Sequence, residues 1–571
     1  MSDFIKTQNS FASGEIAPEF YMNDQLHGLS KLENMDIISG GGISRRPGLT
    51  SVAQLSGAGR LISMSVSDDV EYLIVLADCH MYIYHNDNLY QDLITPWSYD
   101  DVANVQYAQR FGTMIFVHPD YRPMRLYKTP VRFYLADFDF SRNDSDMTSN
   151  MPFIKFEDTE DISITVTTST QGNNFATFTT SQDFWTPESV NTRLYLLGRQ
   201  WVVMEYISPI QVIAHTNGSY DTPTVPVTDW QEAAFSNRRG WPRSITFHQN
   251  RLVFGGSRDY PSGVWMSHVG KHTTFNPGTG LDDEAIFISL LSQQRQQICT
   301  VVSSDNLQIL TNVGEWAISS KPLTPSSVDI KQHTSIGSYS SRYMPPQNIE
   351  GSTVFVSASG RDIRELSLDD IGEKYNANDL CMFAKHLMNT PTDIAYNHMT
   401  RQLFVVCDDG NMAVLNQNAS VGISGWAKYI TAGRFVSVGV VNNKTYVIVL
   451  RDGDTFLEYF DSTAVRDSGA YNFTCVATAV PMLASGHEPR RIRLRRINAR
   501  IMNTKFININ DMRVALPNDI YDVNQPGFSG DVSINCLGTH PDSSMPVWTI
   551  SSTQPYPLTV LSVGIHGWYT V

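Results

Sequence analysis

Short apolar runs separated by turn residues recur along most of the chain, and long stretches of helical periodicity are hard to find. In each repeat, an apolar run is followed by a turn of Gly, Asp, Asn or Pro and then by an alternating run, which predicts a β-hairpin. Asp-Gly turns such as Asp452-Gly453 supply the positive φ angles that tight hairpins need. Seven hairpins are predicted, at Tyr72–Tyr84, Met114–Tyr127, Arg251–Ser267, Leu307–Ser319, Thr353–Leu366, Leu403–Leu415 and Tyr446–Tyr459.

The spacing of these hairpins indicates the fold class. They begin roughly 40 to 55 residues apart, except for one gap of about 135 residues, and a four-stranded propeller blade takes about 40–50 residues. The spacing therefore predicts a mainly β protein built on an irregular β-propeller of six to eight blades, with stacked β-sandwiches as the alternative. The wide gap predicts an inserted β domain, and a changed pattern after Tyr471 predicts a C-terminal β domain.

The same pattern divides the chain into five segments. Residues 1–60 are expected to pack on the propeller, 61–132 to form its first blades, 133–240 to form the inserted (platform) domain, 241–470 the remaining blades, and 471–571 the C-terminal domain. The strands predicted in the inserted domain are Ile162–Thr167, Ala176–Thr179, Arg193–Leu197, Trp201–Tyr206 and Gln211–His215. Those predicted in the C-terminal domain are Asn472–Ala479, Arg491–Asn498, Ile501–Ile509, Gly530–Leu537 and Leu558–Ile565.

Composition adds a statement about the surface. Only 17% of the 571 residues are charged, against about 25% in an average soluble domain, and the 42% hydrophobic content excludes global disorder. The basic residues are 30 arginines and 12 lysines. Arginine is tolerated in interfaces, whereas lysine is depleted there. The composition thus favours a surface largely buried against partners, with an unusual proteome bias as the alternative.

The acidic balance limits how the protein can interact with DNA. The 57 acidic and 42 basic residues give a formal charge of −15, and the pI is near 5.4. A protein that binds DNA phosphates tightly needs clustered Lys and Arg. The net negative charge therefore argues against tight DNA binding, but not against a channel through which DNA passes.

The six cysteines lie far apart, which predicts reduced, buried thiols and neither disulfides nor a zinc site. The sequence Met-Ser-Asp-Phe-Ile-Lys lacks a signal-peptide apolar region, and the longest apolar runs are too short to span a bilayer. We therefore expect synthesis in a cytoplasm and no membrane span.

No motif predicts catalysis, a metal or a cofactor. Gly42–Thr50 resembles a phosphate-binding loop but has Leu49 where lysine is required, and serine-hydrolase and zinc-protease motifs are absent from the sequence. Asp282, Asp283 and Glu284 could supply carboxylates for glycoside hydrolysis, but adjacent side chains of a strand face opposite ways and no partner carboxylate is identifiable. A charged loop before a strand is the favoured interpretation.

One charged cluster stands out, with six arginines in eleven residues: Arg490, Arg491, Arg493, Arg495, Arg496 and Arg500. On an extended strand, Arg491, Arg493 and Arg495 would share one face, with Arg496 on the other. The cluster could bind DNA phosphates. Because carboxylates are in excess, ion pairing to a neighbouring subunit or to an acidic part of the same chain is the favoured hypothesis.

Several stretches in order along the chain resemble one family, the tail nozzle proteins (tail tubular protein B) of short-tailed bacteriophages. The resemblance begins with a Gly-Glu-x-x-Pro segment, a Glu-Asn pair and a Gly-rich turn into Arg-Pro-Gly, and it weakens in the insertion and over residues 500–550. The segments that carry it are Phe11–Pro18, Leu32–Asn34, Gly40–Gly48, Thr95–Trp97, Val105–Gln109, Phe116–Pro123, Gly240–Phe254, Gly263–Ser267, Asp282–Ile286, Gly314–Trp316, Asp379–Leu387 and Gln554–Leu561.

The resemblance implies a non-enzymatic structural protein of the virion tail. It implies a homo-hexameric ring that lies below the dodecameric head-to-tail adaptor. This ring would help to hold tail fibres or spikes, conduct double-stranded DNA, retain the DNA in the particle and open for ejection. From the acidic balance we expect a lumen that repels phosphates, with Asp282, Asp283 and Glu284 as weak candidates for its acids. A carbohydrate-binding or capsule-degrading propeller of the tailspike type is the main rival, and a WD40-like scaffold is a third possibility.

Overall fold

The computed structural model describes residues 2–21, 26–67, 69–143, 148–169, 171–172, 174–369, 374–481, 491–517, 525–540 and 545–570. Within these residues, seven four-stranded antiparallel units follow one another and are called blades 1 to 7. In every blade the second and third strands are one of the seven hairpins that the sequence predicts. The predicted β-propeller is thereby confirmed, with seven blades.

The strands of the blades have the following bounds. Blade 1 comprises Arg60–Ser67, Val70–Ala77, His80–His85 and Asn88–Ile94. Blade 2 comprises Gln106–Arg110, Thr113–His118, Tyr121–Lys128 and Phe133–Asp137. Blade 3 comprises Pro242–His248, Arg251–Ser257, Gly263–Met266 and Ile286–Ser289. Blade 4 comprises Ile298–Ser303, Leu307–Thr311, Glu315–Ile318 and Ile330–Thr334.

The last three blades complete the ring. Blade 5 comprises Gln347–Ile349, Ser352–Val356, Ile363–Asp369 and Lys374–Asp379. Blade 6 comprises Pro391–Asn397, Gln402–Cys407, Met412–Asn418 and Ile423–Tyr429. Blade 7 comprises Arg434–Val441, Lys444–Arg451, Asp454–Asp461 and, from far earlier in the chain, Gly48–Leu55. The strand Gly48–Leu55 thus closes the propeller at its last blade.

Seven hydrophobic cores lie between consecutive blades, including one between blades 7 and 1. In blade 1, Ile74 and Leu76 point into the core shared with blade 2, whereas Leu73 and Val75 point into the core shared with blade 7. Successive side chains of a strand face opposite ways, so a strand buried on both faces needs a continuous apolar run. This two-sided burial is the physical reason for the apolar runs in the sequence.

A segment between blades 4 and 5 crosses the centre of the ring. The Tyr343 backbone N–H donates to the Ala103 carbonyl oxygen at 3.3 Å, and the Tyr343 ring centre lies 4.8 Å from Cζ of Arg60 on blade 1. A cavity of about 20 Å³ lies against this segment and blades 2 to 5, and a pocket of about 310 Å³ lies against Arg342 of the same segment and blades 1, 6 and 7. Both spaces are too small for a DNA duplex.

The insertion forms its own seven-stranded sheet between blades 2 and 3. Its sheet order is Phe153–Ile154, Trp230–Ala233, Arg193–Leu196, Arg199–Ser208, Gln211–Thr216, Phe175–Thr180 and Ile164–Thr168. The boundary differs from the expected one at residue 133, because Phe133–Asp137 pairs with Tyr121–Lys128 as the outer strand of blade 2. The polar turn-rich stretch that marks the boundary in the sequence follows this strand.

The N-terminal segment does more than pack on the propeller. Ser2–Gln8 pairs with the last strand of the chain, Thr559–Thr570. Met35–Ile37 and Ile43–Arg45 extend the same sheet, whose remaining strands are Arg491–Thr504 and Phe528–His540. A second group of strands continues from the outer edge of blade 6, in the order Gly14–Glu15, Gly28–Glu33, Cys475–Ala479, Thr549–Ser552, Asn508–Ile509 and Met512–Arg513. The two termini therefore build the C-terminal domain together.

Two strands predicted in the C-terminal domain are joined. Arg491–Asn498 and the first part of Ile501–Ile509 form the single strand Arg491–Thr504, and only Asn508–Ile509 is separate. Helices are short: Tyr99–Val102 is α-helical, and the 3-10 turns are Pro18–Phe20, Glu157–Thr159, Pro187–Ser189, Lys385–Leu387 and Ala419–Val421. Among the described residues, no helix has the length and apolar character needed to span a membrane.

All six cysteines are free thiols. Cys299, Cys381, Cys407 and Cys475 are buried and Cys536 is partly buried. The prediction of a buried thiol is wrong for Cys79, which is exposed because it lies at a hairpin turn with a φ of 55°.

Candidate functional site: the arginine face of the C-terminal sheet

The arginine cluster lies on the central strand of an open sheet. Arg491–Thr504, here called the arginine strand, runs between Phe528–His540 and Thr559–Thr570 and pairs antiparallel with both. Leu494, Ile497, Ala499 and Ile501 are buried in the core beneath the sheet. Arg493, Arg495, Arg496 and Arg500 are exposed. We call their side of the sheet the arginine face.

A β-bulge corrects the predicted alternation. Leu494 pairs with Gly567 and Arg496 with His566, so Arg495 has no residue opposite it. An extra residue in one strand shifts all later side chains to the other face. Arg496 therefore lies on the exposed face with Arg493 and not on the buried face with Leu494. The bulge places one more arginine in solvent and lets Ile497 enter the core.

The neighbouring strands add a few polar and aromatic groups to the arginine face. Arg500 forms an ion pair with Asp531, with Nε–Oδ1 at 2.8 Å and Nη2–Oδ2 at 2.9 Å. Hydrogen bonding to Arg500 lowers the pKa of Asp531 below its ordinary value. The Arg495 guanidinium lies 6.0 Å from the Trp568 ring centre. These contacts leave most of the arginine charge facing outward.

The described residues compensate the positive charge of the arginine face only in part. Among the described residues, no carboxylate lies within ion-pair distance of Arg493, Arg495 or Arg496. The nearest edge strand brings Asp3, whose Oδ1 lies 3.1 Å from His566 Nε2. An open depression of about 660 Å³ lies over this part of the face, lined by Arg493, Leu494, Arg495, Arg496, Asn535, Cys536, His566 and Trp568. The arrangement suits an acidic or phosphate-bearing surface.

Two of the predicted arginines cannot be placed in the same way. Arg490 lies outside the described residues, and of Arg491 only the backbone position, opposite Thr570, is described.

The acidic candidates lie in a different part of the molecule. Asp282, Asp283 and Glu284 belong to the loop before Ile286–Ser289, the outer strand of blade 3. Glu284 Oε2 accepts hydrogen bonds from the backbone N–H groups of Gly280, at an N–O distance of 2.6 Å, and Leu281, at 2.8 Å. Hydrogen bonds from backbone N–H groups, that of Thr279 foremost, lower the pKa of Glu284. Glu284 thus closes its own loop, whereas Asp282 and Asp283 are exposed.

Arg251 anchors this acidic loop, a role that sequence reasoning missed. Arg251 is fully buried, and its guanidinium donates to the carbonyl oxygens of Ser267 at 2.7 Å, Glu284 at 2.6 Å and Asp282 at 2.7 Å. The only signal in the sequence is that Arg251 falls inside the motif segment Gly240–Phe254. A charged residue at the start of an apolar strand does not by itself reveal a buried anchor.

Among the described residues, no three side chains of His, Cys, Asp or Glu come together in a way that could hold a metal ion. The absence of catalytic, cofactor and metal sites stays a prediction.

The sequence matches no protein-family model and no curated protein. Solved structures that resemble it include BamB from Moraxella catarrhalis, with 10% identity, a TM-score of 0.33, and coverage of 72% of this chain and 98% of that one. The RRP9 WD40 repeats show 7% identity and a TM-score of 0.38, and the match covers 73% of this chain and 100% of that one. The Pan2 WD40 domain of Neurospora crassa shows 9% identity and a TM-score of 0.28, and the match covers 73% of this chain and 95% of that one.

Similarity at this level indicates nothing about what the chain binds. The β-propeller assignment rests on the seven blades and the closed ring of cores between them.

Proposed function

We propose that the protein is a structural subunit of the tail nozzle of a short-tailed bacteriophage. Six copies would form a ring below the dodecameric adaptor, hold fibres or spikes, retain the packaged DNA and conduct it during ejection. The ordered motifs along the chain support the family, and the propeller with two additional β domains agrees with the architecture that the resemblance implies.

The arginine face is the observation that carries the proposal. In the described part of the chain, three exposed arginines of one sheet have no carboxylate within ion-pair distance, although the formal charge of the whole sequence is −15. Arginine is favoured in interfaces because its planar group pairs bidentately and is weakly hydrated. In a ring, the acidic surface of the next copy or of the adaptor would supply the missing carboxylates. Each subunit of such a ring presents two different surfaces to its neighbours.

The centre of the propeller supports a conduit made of several copies. The segment that carries Tyr343 reaches across the ring to Ala103 and to Arg60 of blade 1. DNA could therefore not pass through one chain, and a channel would have to lie between copies. An acidic channel wall would repel phosphates and let the duplex slide. Asp282 and Asp283, both exposed, remain candidates for that wall.

The experiment is a mass measurement of the full chain alone and mixed with an adaptor, followed by negative-stain microscopy. We expect a hexameric ring, at least on the adaptor. Reversing two arginines of the arginine face, in the double variant Arg493→Glu/Arg495→Glu, is expected to prevent the ring, because like charges would then face each other. The matched control Arg125→Glu/Arg132→Glu reverses two exposed arginines on blade 2 and should assemble normally.

Three results would count against the proposal. A wild-type chain that stays monomeric with the adaptor would refute the ring. Unchanged assembly of the arginine-face variant with altered DNA retention would favour phosphate contact over subunit contact. Release of reducing ends from host polysaccharide by the wild-type chain would instead identify a capsule-degrading enzyme.

A further inference from the structure

A second group of arginines lines a pocket between the inserted domain and the propeller. The pocket has a volume of about 340 Å³. Its charged lining consists of Arg122 on blade 2, Asp139 and Arg142 in the connecting segment, and Arg193 on the sheet of the inserted domain. Three positive charges therefore converge on a space that holds one carboxylate.

Among the described residues, no carboxylate forms an ion pair with Arg193 or Arg142. Arg122 pairs with Asp137 and Asp139. No described residue accepts a hydrogen bond from the guanidinium of Arg193 or Arg142 or forms an ion pair with it. Burial lowers the pKa of Arg193, and the positive charges of Arg142 and Arg122 lower it further. Holding like charges together around a half-buried guanidinium is unfavourable unless an anion occupies the space between them.

The side-chain amide of Asn237 adds a neutral donor to the lining. Trp241 Nε1 donates to Asn237 Oδ1 at 3.1 Å, which orients the Asn237 amide so that its NH2 group is left for a ligand.

We propose that this pocket binds an oxyanion, a phosphate or a carboxylate group, between the guanidinium groups of Arg193 and Arg142, with the Asn237 amide as a neutral donor. A guanidinium offers two parallel N–H groups that match either oxyanion. Ligand pockets usually have volumes of about 300–1,000 Å³, so this one suits a small molecule. The site does not depend on the proposed nozzle function.

The test is thermal unfolding of the full chain in inorganic phosphate, in glutarate, and in sodium chloride at matched ionic strength. We expect a saturable rise in Tm with phosphate, with glutarate or with both, beyond the effect of chloride. Arg193→Gln and Arg142→Gln should each weaken the apparent affinity by roughly tenfold or more, since each removes a charged hydrogen-bond donor. Arg132→Gln, an exposed arginine of blade 2 outside the pocket, should bind as the wild type does.

The outcomes separate the two ligand classes. A shift with phosphate alone assigns a phosphate group, and a shift with glutarate alone assigns a carboxylate. Without ligand, Arg193→Gln should be at least as stable as the wild type, because repulsion among the arginines is relieved. If Arg193→Gln fails to fold, the exposed Arg142→Gln carries the test. No saturable shift with either anion, or a shift that both pocket variants retain in full, overturns the proposal.

Discussion

Arg46 and Asp467 form a fully buried, bidentate ion pair that ties the N-terminal segment to the end of blade 7. Arg46 Nη1 lies 3.0 Å from Asp467 Oδ1, and Arg46 Nη2 lies 2.8 Å from Oδ2. Arg46 also donates to Asn34 Oδ1 at 2.9 Å, and Thr431 donates to Asp467 Oδ2 at 2.8 Å. Since a buried pair is costly to break from one side only, this contact fixes the closure of the ring.

Removing one member of this pair should be strongly destabilising. We expect Arg46→Met to lower the free energy of unfolding by about 3–5 kcal/mol, because Asp467 would remain buried without its partner. Lys31→Gln is the control, since Lys31 pairs with Glu33 on the same N-terminal segment but is half exposed, and it should cost less than about 1 kcal/mol. Urea unfolding measures both. Similar decreases in the free energy of unfolding for the two variants would contradict the role of the Arg46–Asp467 pair in closing the ring.

An added methyl group should destabilise the protein at one motif glycine and have almost no effect at another. Gly14 has a φ of 63°, and a Cβ there would lie 2.3 Å from the Trp426 carbonyl oxygen, whereas a Cβ at Gly40 would meet nothing within 4 Å. Gly14→Ala is therefore expected to cost at least about 2 kcal/mol. Gly40→Ala should change stability by no more than about 0.5 kcal/mol. Equal Tm values for the two variants would show that the backbone relaxes freely at Gly14.

Asp36 should impose a pH dependence of stability. Burial raises the pKa of Asp36 from 3.8 to about 6, although Tyr429 and Gln402 donate hydrogen bonds to it. Between these values the folded state binds more protons than the unfolded state, so the contribution of Asp36 falls as pH rises from about 4 to about 6. The free energy of unfolding should decrease by on the order of 3 kcal/mol through this titration, and the decrease should be complete above about pH 6.

The variant Asp36→Asn isolates this contribution because its side-chain oxygen can still accept both hydrogen bonds. We expect the variant to gain stability relative to the wild type as pH rises through this window, and the difference to be constant above it. Unfolding of both proteins at several pH values measures the difference, in which the titration of other groups cancels. A difference that does not change between pH 4 and pH 7 would contradict the prediction.

The Arg500–Asp531 pair should matter for assembly and not for folding. Both side chains are more than 60% exposed, so Arg500→Ala should leave the stability of the single chain nearly unchanged, because exposed ion pairs contribute little to folding. In a ring that buries the arginine face, the same change should weaken association and make it less sensitive to salt. Sedimentation at two salt concentrations, with Arg132→Ala as the control, measures both effects. An unchanged sedimentation profile would exclude Arg500 from the interface.

Local patterns in the sequence predicted the hairpins but not every site residue. The middle strands of each blade, such as Val70–Ala77 and Gln402–Cys407, are recognisable because both of their faces are buried. The bulge at Arg495 was not predictable, because it depends on the pairing of three strands and not on the residue itself. The convergence of Arg122, Arg142 and Arg193 likewise joins positions from two sheets and a connector.

The sequence by itself determined the repeating unit, because the alternation that fills two neighbouring cores is a property of each short strand. Only the tertiary structure decided how the units are joined. Gly48–Leu55 pairs with a strand some 400 residues later, and Ser2–Gln8 pairs with the last strand of the chain. Such contacts arise from the closure of the whole ring and the shared core of the two termini. They leave no local periodicity from which they could be predicted.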